Sequence, residues 1–417
     1  MKPSSILNFS ALLFAGLLTL TTALPVAAQA ELHQSYPLNP TGTVSVSNIS
    51  GNIRVIGWHE NRVQVDAVKR GGRGEEQEQV EIQINARPDR LEVRTLYPRN
   101  RSNHVSVDYE LKVPRGAVLN SLSSTSGNIS VSDAGTRVVA RSTSGTVTAQ
   151  GVNGDANLGT TSGNLRAEHI SGALTITTAS GSLQISDIGA QLNARSTSGE
   201  VRALNVRDDA TVNNASGQVR LEKVGGRASV HTVSGLITVT DVSGDANLEN
   251  VAEGITADGI QGRVTATSVS GRIVARNVRE GVRANSVSGT IDISQSRGPL
   301  VLNTTSGAAL LREVDSRDIQ VATHSGAVHF AGKIYDNGRY TFDSFSSEVI
   351  LTLPANSNFT LTAKTFSGSI ETDFPIQLVT GSSLSGRPRR LQGTYGNSEG
   401  AQLNVGGFSS TIKLKKQ

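Results

Sequence analysis

From residue 127 to residue 306 the chain obeys a nine-residue pattern, G-x-Φ-x-Φ-x-x-Φ-x with Φ apolar, and two such halves make an eighteen-residue unit. Each unit opens on Ser-Gly, with the glycine at Gly127, Gly145, Gly163, Gly181, Gly199, Gly217 and Gly235 and, after one omission at Ala252-Glu253, at Gly271, Gly289 and Gly307. A second glycine often marks the half-way point, as at Gly154, Gly172, Gly226, Gly244, Gly262 and Gly298. Counting two, four and seven places from either point gives sixty positions predicted to face inward, and 55 of them are Ala, Val, Ile or Leu. The exceptions are Thr143, Thr161, Thr197, Thr305 and Ser296, and none is charged.

Alternation with period two is a strand, and glycine flanked by Ser, Asn or Asp is a turn. A unit this short buries too little by itself, but parallel stacking joins the columns into one core. The predicted fold is therefore all-β: a single elongated parallel β-solenoid, or β-helix, with 18-residue, two-strand coils. At a strand spacing of about 4.8 Å, ten coils make a rod on the order of 50 Å long. Glycine recurs because each coil turns at one place where a Cβ clashes or φ is positive, and the adjacent serines are expected to form a hydroxyl ladder over the turns. A hexapeptide helix requires an apolar residue every six, and the calcium-binding nonapeptide roll requires G-G-x-G-x-D; neither fits these spacings.

Residues 31–120 are strand-rich but aperiodic and read as an N-terminal β-rich cap over the open strand edge. Residues 121–326 form the regular array, and 327–417 read as irregular C-terminal coils and a cap, with Phe330, Tyr335, Tyr340, Phe342 and Phe345 filling a wider core. The first thirty residues have the form of a secretory signal: Lys2, an apolar run from Ala11 to Leu20, then Ala28-Gln29-Ala30. That run is too short to span a bilayer, so no transmembrane segment is expected in the mature chain, which is predicted to be exported and to reside in the periplasm or at the cell surface.

The chain has no cysteine, which removes disulfides, thiolate catalysis and thiolate metal sites. Net charge is +4 and interspersed, apart from Arg387-Pro388-Arg389-Arg390 and Lys413-Leu414-Lys415-Lys416, read as solvated charge. No aromatic residue falls between Tyr109 and Phe330, so the array offers no stacking platform, and without a continuous basic stripe nucleic acid is not an expected partner. Glycan stacking would have to use the ends, at Trp58 or the Tyr335 to Phe345 cluster, where core packing is the expected role.

Site chemistry is sparse. Asp258 and Asp292 lie two coils apart with Arg276 between them in coil order, an ion cluster rather than a catalytic carboxylate pair. Arg202 and Arg220 stack in neighbouring coils with Glu222 close by, as solvated surface charge. In this register His324 points inward and His329 outward, which makes no metal site. No catalytic, cofactor or metal residue is assigned, and ligand-binding residues are unknown at this level.

The segments "SVSNISGNIRVIGW", "YELKVPRGAVL", "VILTLPANSNFTLTAKTFSGSIETDFP" and "GAQLNVGGFSSTIKL", with Ser-Gly repeats between them, resemble the bacterial "putative adhesin" family of domains of unknown function. The likeness spans nearly all of the chain after residue 30, which departs from the family by its long central array and by losing Ser-Gly at Ala252-Glu253 and Ser409-Ser410. It implies an exported, envelope-associated β-solenoid and brings no catalytic residues. The expected function is a non-enzymatic adhesin-like or scaffolding protein contacting an envelope polymer, glycan or surface protein. The alternative is a carbohydrate-active β-helix enzyme, a polysaccharide lyase or hydrolase, but such enzymes wall their clefts with long loops and this array has almost no insertions.

Facing halves usually balance a small residue with a large one, yet Ala257 faces Ala266 and Ala275 faces Ala284. These coils are predicted to be a thin waist with faster amide exchange than their neighbours; uniform protection along the rod would contradict that.

Overall fold

Strand after strand pairs in parallel with the strand eighteen residues on: Val147 with Leu165, Leu165 with Leu183 and Leu183 with Val201 in one sheet, Ala156 with Leu174 and Leu174 with Leu192 in the other. This is the two-strand parallel β-solenoid, all-β apart from one helical turn at Gly74–Glu78. The computed structural model describes residues 31–72, 74–98, 104–378, 389–397 and 399–417. The expected signal segment, residues 1–30, and Arg387-Pro388 of one basic tract lie outside the described residues.

Five of the six apolar columns are buried in every coil of the array, but the sixth is not. Positions 143, 161, 179, 197, 215, 233, 251, 269, 287 and 305 all face solvent. The residue just before each takes the inward place: Ser142, Thr160, Thr178, Ser196, Asn214, Thr232, Asn250, Ser268, Ser286 and Thr304 are all buried. The two halves of a coil differ. In the first, a residue six after the Ser-Gly glycine adopts the left-handed conformation, as at Asp133 (φ 52°), Asp187 (57°), Asn205 (59°) and Asp241 (56°), adding one residue and giving the spacing two, four, seven. The second half has no such residue, its strand simply continues, and the spacing is two, four, six.

The core thus contains a polar spine, and the spine holds the turns. Ser142 Oγ donates to Gly127 O (2.9 Å), Thr160 Oγ1 to Gly145 O (3.1 Å) and Asn250 Nδ2 to Gly235 O (2.7 Å), so these rungs capture the glycine carbonyl of the turn before. Thr178 Oγ1 instead donates to Ser180 O (3.1 Å), and the Ser196 and Thr232 hydroxyls are left without a partner. The hydroxyl ladder therefore belongs to this buried residue, whereas the serine beside the glycine is exposed. A Cβ on Gly163 or Gly181 would land on the carbonyl oxygen of Gly145 or Gly163, which is why nothing larger fits there.

The omission at Ala252-Glu253 separates two turn chemistries. Before it, the glycine N–H donates to the next coil, as Gly145 N to Ser162 O (3.1 Å) and Gly217 N to Ser234 O (2.9 Å). After it, the N–H turns to its own spine hydroxyl, as Gly271 N to Ser268 Oγ (2.9 Å) and Gly289 N to Ser286 Oγ (2.8 Å). Glu253 itself carries φ of +93°.

Neither end follows sequence order. At the first, Thr43–Ser50 lies between Arg90–Leu96 and Val118–Ser126, and Ile53–Trp58 between Ser106–Pro114 and Ile129–Ser132. Antiparallel strands Glu81–Arg87, Arg62–Arg70 and Glu31–Pro37 then cover the outer edges. At the other end, Ala401–Gly407 and Ile412–Lys416 are inserted between the coil of Arg339–Ser344 and Val349–Leu353 and that of Phe359–Thr365 and Ile370–Thr372. The antiparallel strand Arg390–Tyr395 covers the outside of Phe359–Thr365.

Left-handed backbone at a non-glycine residue costs about 1–3 kcal/mol, against roughly 0.5–1 kcal/mol of added chain entropy for glycine. Glu253→Gly is therefore expected to raise stability by about 1 kcal/mol, read as slower amide exchange across residues 237–276. Unchanged or faster exchange there would show that the turn is not strained.

Candidate functional site: an exposed rib along one edge

Because the spine residue points inward, its successor is forced out, and in the second part of the array that successor is apolar. Val233, Val251, Val269 and Val287 are 42–48% exposed in consecutive coils. The column continues through Thr305 and His324 into Phe345, Phe408 and Phe366, with Phe366 63% exposed. The four rings form one stack: His324 on Phe345 (4.7 Å, 11°), Phe345 on Phe408 (4.9 Å, 5°) and Phe408 on Phe366 (4.7 Å, 11°). That spacing is the strand repeat. Each inner ring's faces are taken by its neighbours, so the ladder presents ring edges along its length and, among the described residues, a face of Phe366 that no other ring covers. Contiguous apolar surface of this kind marks contact sites.

Beside the rib runs a shallow groove, about 410 Å³ over the later coils, with Thr267, Asn285 and Asn303 on one wall and Val269, Val287 and His324 on the other. Asn303 Nδ2 donates to Asn285 Oδ1 (3.0 Å), so the polar wall is itself laddered. A second stretch of about 380 Å³ sets Arg195, Asn213 and His231 opposite Thr197, Ala215 and Val233. Over most coils the edge thus repeats one motif, an amide, hydroxyl or charged group facing a small or apolar one, with Gly159 and Ala322 as exceptions.

The aromatic cluster expected to fill the core divides. Phe330, Tyr340 and Phe342 are buried and in mutual contact. Burial pushes the Tyr340 phenol up to about 12, and its hydroxyl donates to Ser316 O (2.7 Å). Tyr335 is half-buried beneath the Arg317 guanidinium (5.7 Å), its phenol raised chiefly by a hydrogen bond to Asp315. Phe345 is outside, because it follows the spine residue Ser344. The same shift corrects His324, which faces solvent; His329 also faces outward, 3.7 Å from Glu348. Trp58 is half-buried under Arg62 (5.2 Å) and donates to Arg62 O.

Asp292 is joined not to Asp258 and Arg276 but to Arg272 (2.5 Å) and Arg312 (2.8 Å), one guanidinium from the coil on either side. The two arginines cover it, leaving it 2% exposed although it lies on the outer face. Asp258 instead accepts from Asn277 (2.7 Å). Arg202 and Arg220 are in register and turn to their own strands' Glu200 (3.6 Å) and Glu222. Lys413 reaches Glu348 (3.5 Å), and Lys416 lies over Phe374 (5.3 Å). Among the described residues no group of His, Asp or Glu is placed to hold a metal, and no helix is long and apolar enough to cross a membrane.

Coiled parallel strands, a polar spine and a repeated outward rib define a β-solenoid repeat protein with one laddered, partly apolar edge. The sequence matches the Toastrack DUF4097 domain over residues 43–237 and again over 229–397, and the chain belongs to that family. No curated protein matches it. Among solved structures it is similar to a "putative cell adhesion protein" from Clostridium sporogenes, at 9% identity over 94% of this chain and 100% of that one, with a TM-score of 0.16. It is also similar to a "putative adhesin" from Bacteroides fragilis, at 12% identity over 71% and 98% of the two chains, with a TM-score of 0.21. At those scores neither likeness carries a functional argument.

Asp292→Asn keeps the shape of the clamp and removes its charge. The two arginines are more than half exposed, so the expected loss is modest, about 1–2 kcal/mol. The gap between variant and parent should narrow as salt screens the pair; a loss unchanged from low to high salt would assign the effect to packing.

Proposed function

We propose that this is a non-enzymatic cell-envelope protein, exported to the periplasm or the cell surface, which acts as an adhesin-like or scaffolding rod holding a polymer, glycan or surface protein along its rib. The observation that carries this reading is the rib itself: an exposed column of Val, His and Phe with a laddered groove beside it, repeating at every strand spacing. Membership of the family is consistent with it. A repetitive edge suits a repetitive partner, because weak contacts at many coils add through effective concentration. No cofactor is invoked, and the outward charges are engaged with one another at Asp292, Arg220 and Lys413.

The test is an array of glycans and envelope polymers probed with residues 31–417, with a parallel assay for depolymerised product. Binding without turnover is expected. Phe345→Ser with Phe366→Ser should weaken it by roughly tenfold or more while leaving far-ultraviolet circular dichroism unchanged, since both side chains are exposed. Released product would put the carbohydrate-active alternative in place of this reading, and binding indifferent to the double substitution would move the contact off the rib.

A further inference from the structure

The rod's far end contains a mismatch between sequence phase and spatial order. Ile319 and Val328 pair with Tyr340 and Val349, a step of 21 residues in both sheets. A further 21 residues lead to Leu361 and Ile370, so Phe359–Thr365 and Ile370–Thr372 are in phase to stack directly on Arg339–Ser344 and Val349–Leu353. They do not. Leu403 stands between Tyr340 and Leu361, and Ile412 between Val349 and Ile370.

The two separated coils match in their turns as well. Ser344-Phe345-Ser346-Ser347 corresponds to Thr365-Phe366-Ser367-Gly368. Ser344 Oγ donates to the turn carbonyl of the preceding coil, Gly326 O (3.1 Å), and Thr365 Oγ1 donates to its own neighbour's, Ser410 O (3.0 Å). A Cβ on Gly368 would strike the same Ser410 carbonyl. The inserted coil is the one that departs from the rule. It carries Gly407 where the spine hydroxyl belongs, and Ser410, at the glycine position, supplies the hydroxyl instead, donating to Ser344 O. At the N-terminal end the coils on either side of the insert are not matched: Arg90 and Val118 both face Thr43, 28 residues apart, while Tyr109 and Ile129 both face Ile53, only 20 apart.

We propose that the last coil, Ala401–Gly407 with Ile412–Lys416, is a removable insert, and that the rod also closes without it by direct stacking of the 359–372 coil on the 339–353 coil. The insert follows Tyr395 closely in sequence and passes Asn358, where Gly396 has φ of +80° and a Cβ on Gly396 or Gly400 would strike that residue's side chain or backbone. Strand Arg390–Tyr395 lies on the far side and keeps its place when the insert leaves. Direct stacking restores Phe366 on Phe345 and gives Thr365 the Ser347 carbonyl, so no turn bond is orphaned. The inserted form buries Leu403, Val405, Ile412 and Leu414 and is the ground state; the withdrawn form is a minor state reached by local opening. Withdrawal parts Lys413 from Glu348 and frees a basic C-terminal segment.

A chain without cysteine can be trapped by added pairs. Thr341, Asn404 and Thr362 lie in register on the outer face. Neighbouring strands are about 4.8 Å apart, within disulfide reach, whereas two spacings, roughly 10 Å, are beyond it. Under mild oxidant the full chain with T341C and N404C should close at once. The chain with T341C and T362C should close more slowly but to completion within single molecules, keep its circular dichroism, and become cleavable by trypsin at Lys413 and Lys415. If the second pair stays reduced while the first closes, the insert does not leave. The unsubstituted chain supplies a second reading: amides of 401–416 should exchange faster than those of 359–372, and exchange of both coils together would overturn the proposal.

Discussion

The contact on which this molecule depends is backbone on backbone at one corner of each coil. Stacking at a single strand spacing puts the glycine of one turn against the glycine carbonyl of the turn before, with no room for a side chain between them. A buried acceptor needs a donor, and at Ser142, Thr160, Asn214 and Asn250 the polar spine supplies one to that carbonyl. An inward polar residue at the end of the strand then dictates that its successor points out. The corner glycine, the buried hydroxyl and the exposed rib are three consequences of one packing constraint, repeated coil by coil.

Where the constraint is met differently, the rod changes character. Through Gly217 the glycine N–H is bonded to the next coil, and from Gly271 it is bonded within its own turn. Glu253 stands at the junction in a conformation glycine would adopt freely. The spine is also least complete just before it: Ser196, Asn214, Thr232 and Asn250 each keep a buried oxygen without a partner. From Val233 onward the rib turns apolar and then aromatic, so the change in turn chemistry and the change in surface fall in nearly the same coils.

Much of the architecture was legible because glycine and period-two alternation are local signals. Five columns, the two-strand coil and the stacking direction follow from them. The sixth column misled because Ala179, Ala215, Val233, Val251, Val269 and Val287 satisfy an apolar pattern that their surroundings do not require. The residue before each, always Ser, Thr or Asn, was the clue, since an unbroken polar column beside a glycine column implies a buried hydrogen-bond role. Phe345, Phe408 and Phe366 share the place just before the serine of the turn, and that alone puts them in one rank. Their stacking order was hidden, because Phe408 enters between the other two only through the insertion of residues 401–416. The Asp292 clamp was hidden differently: its arginines approach diagonally from the two adjacent coils rather than from the same row.

The rib is graded along its length. It begins in Thr143 and Thr161, runs through Ala179, Thr197 and Ala215, becomes valine over four coils and passes Thr305 to end in stacked rings. A rod whose coils are otherwise alike therefore has a heading. On the proposed reading, a long flexible partner lying along the edge would meet its largest apolar contact at the aromatic end, so the ring stack rather than any pocket on the way would set its registry.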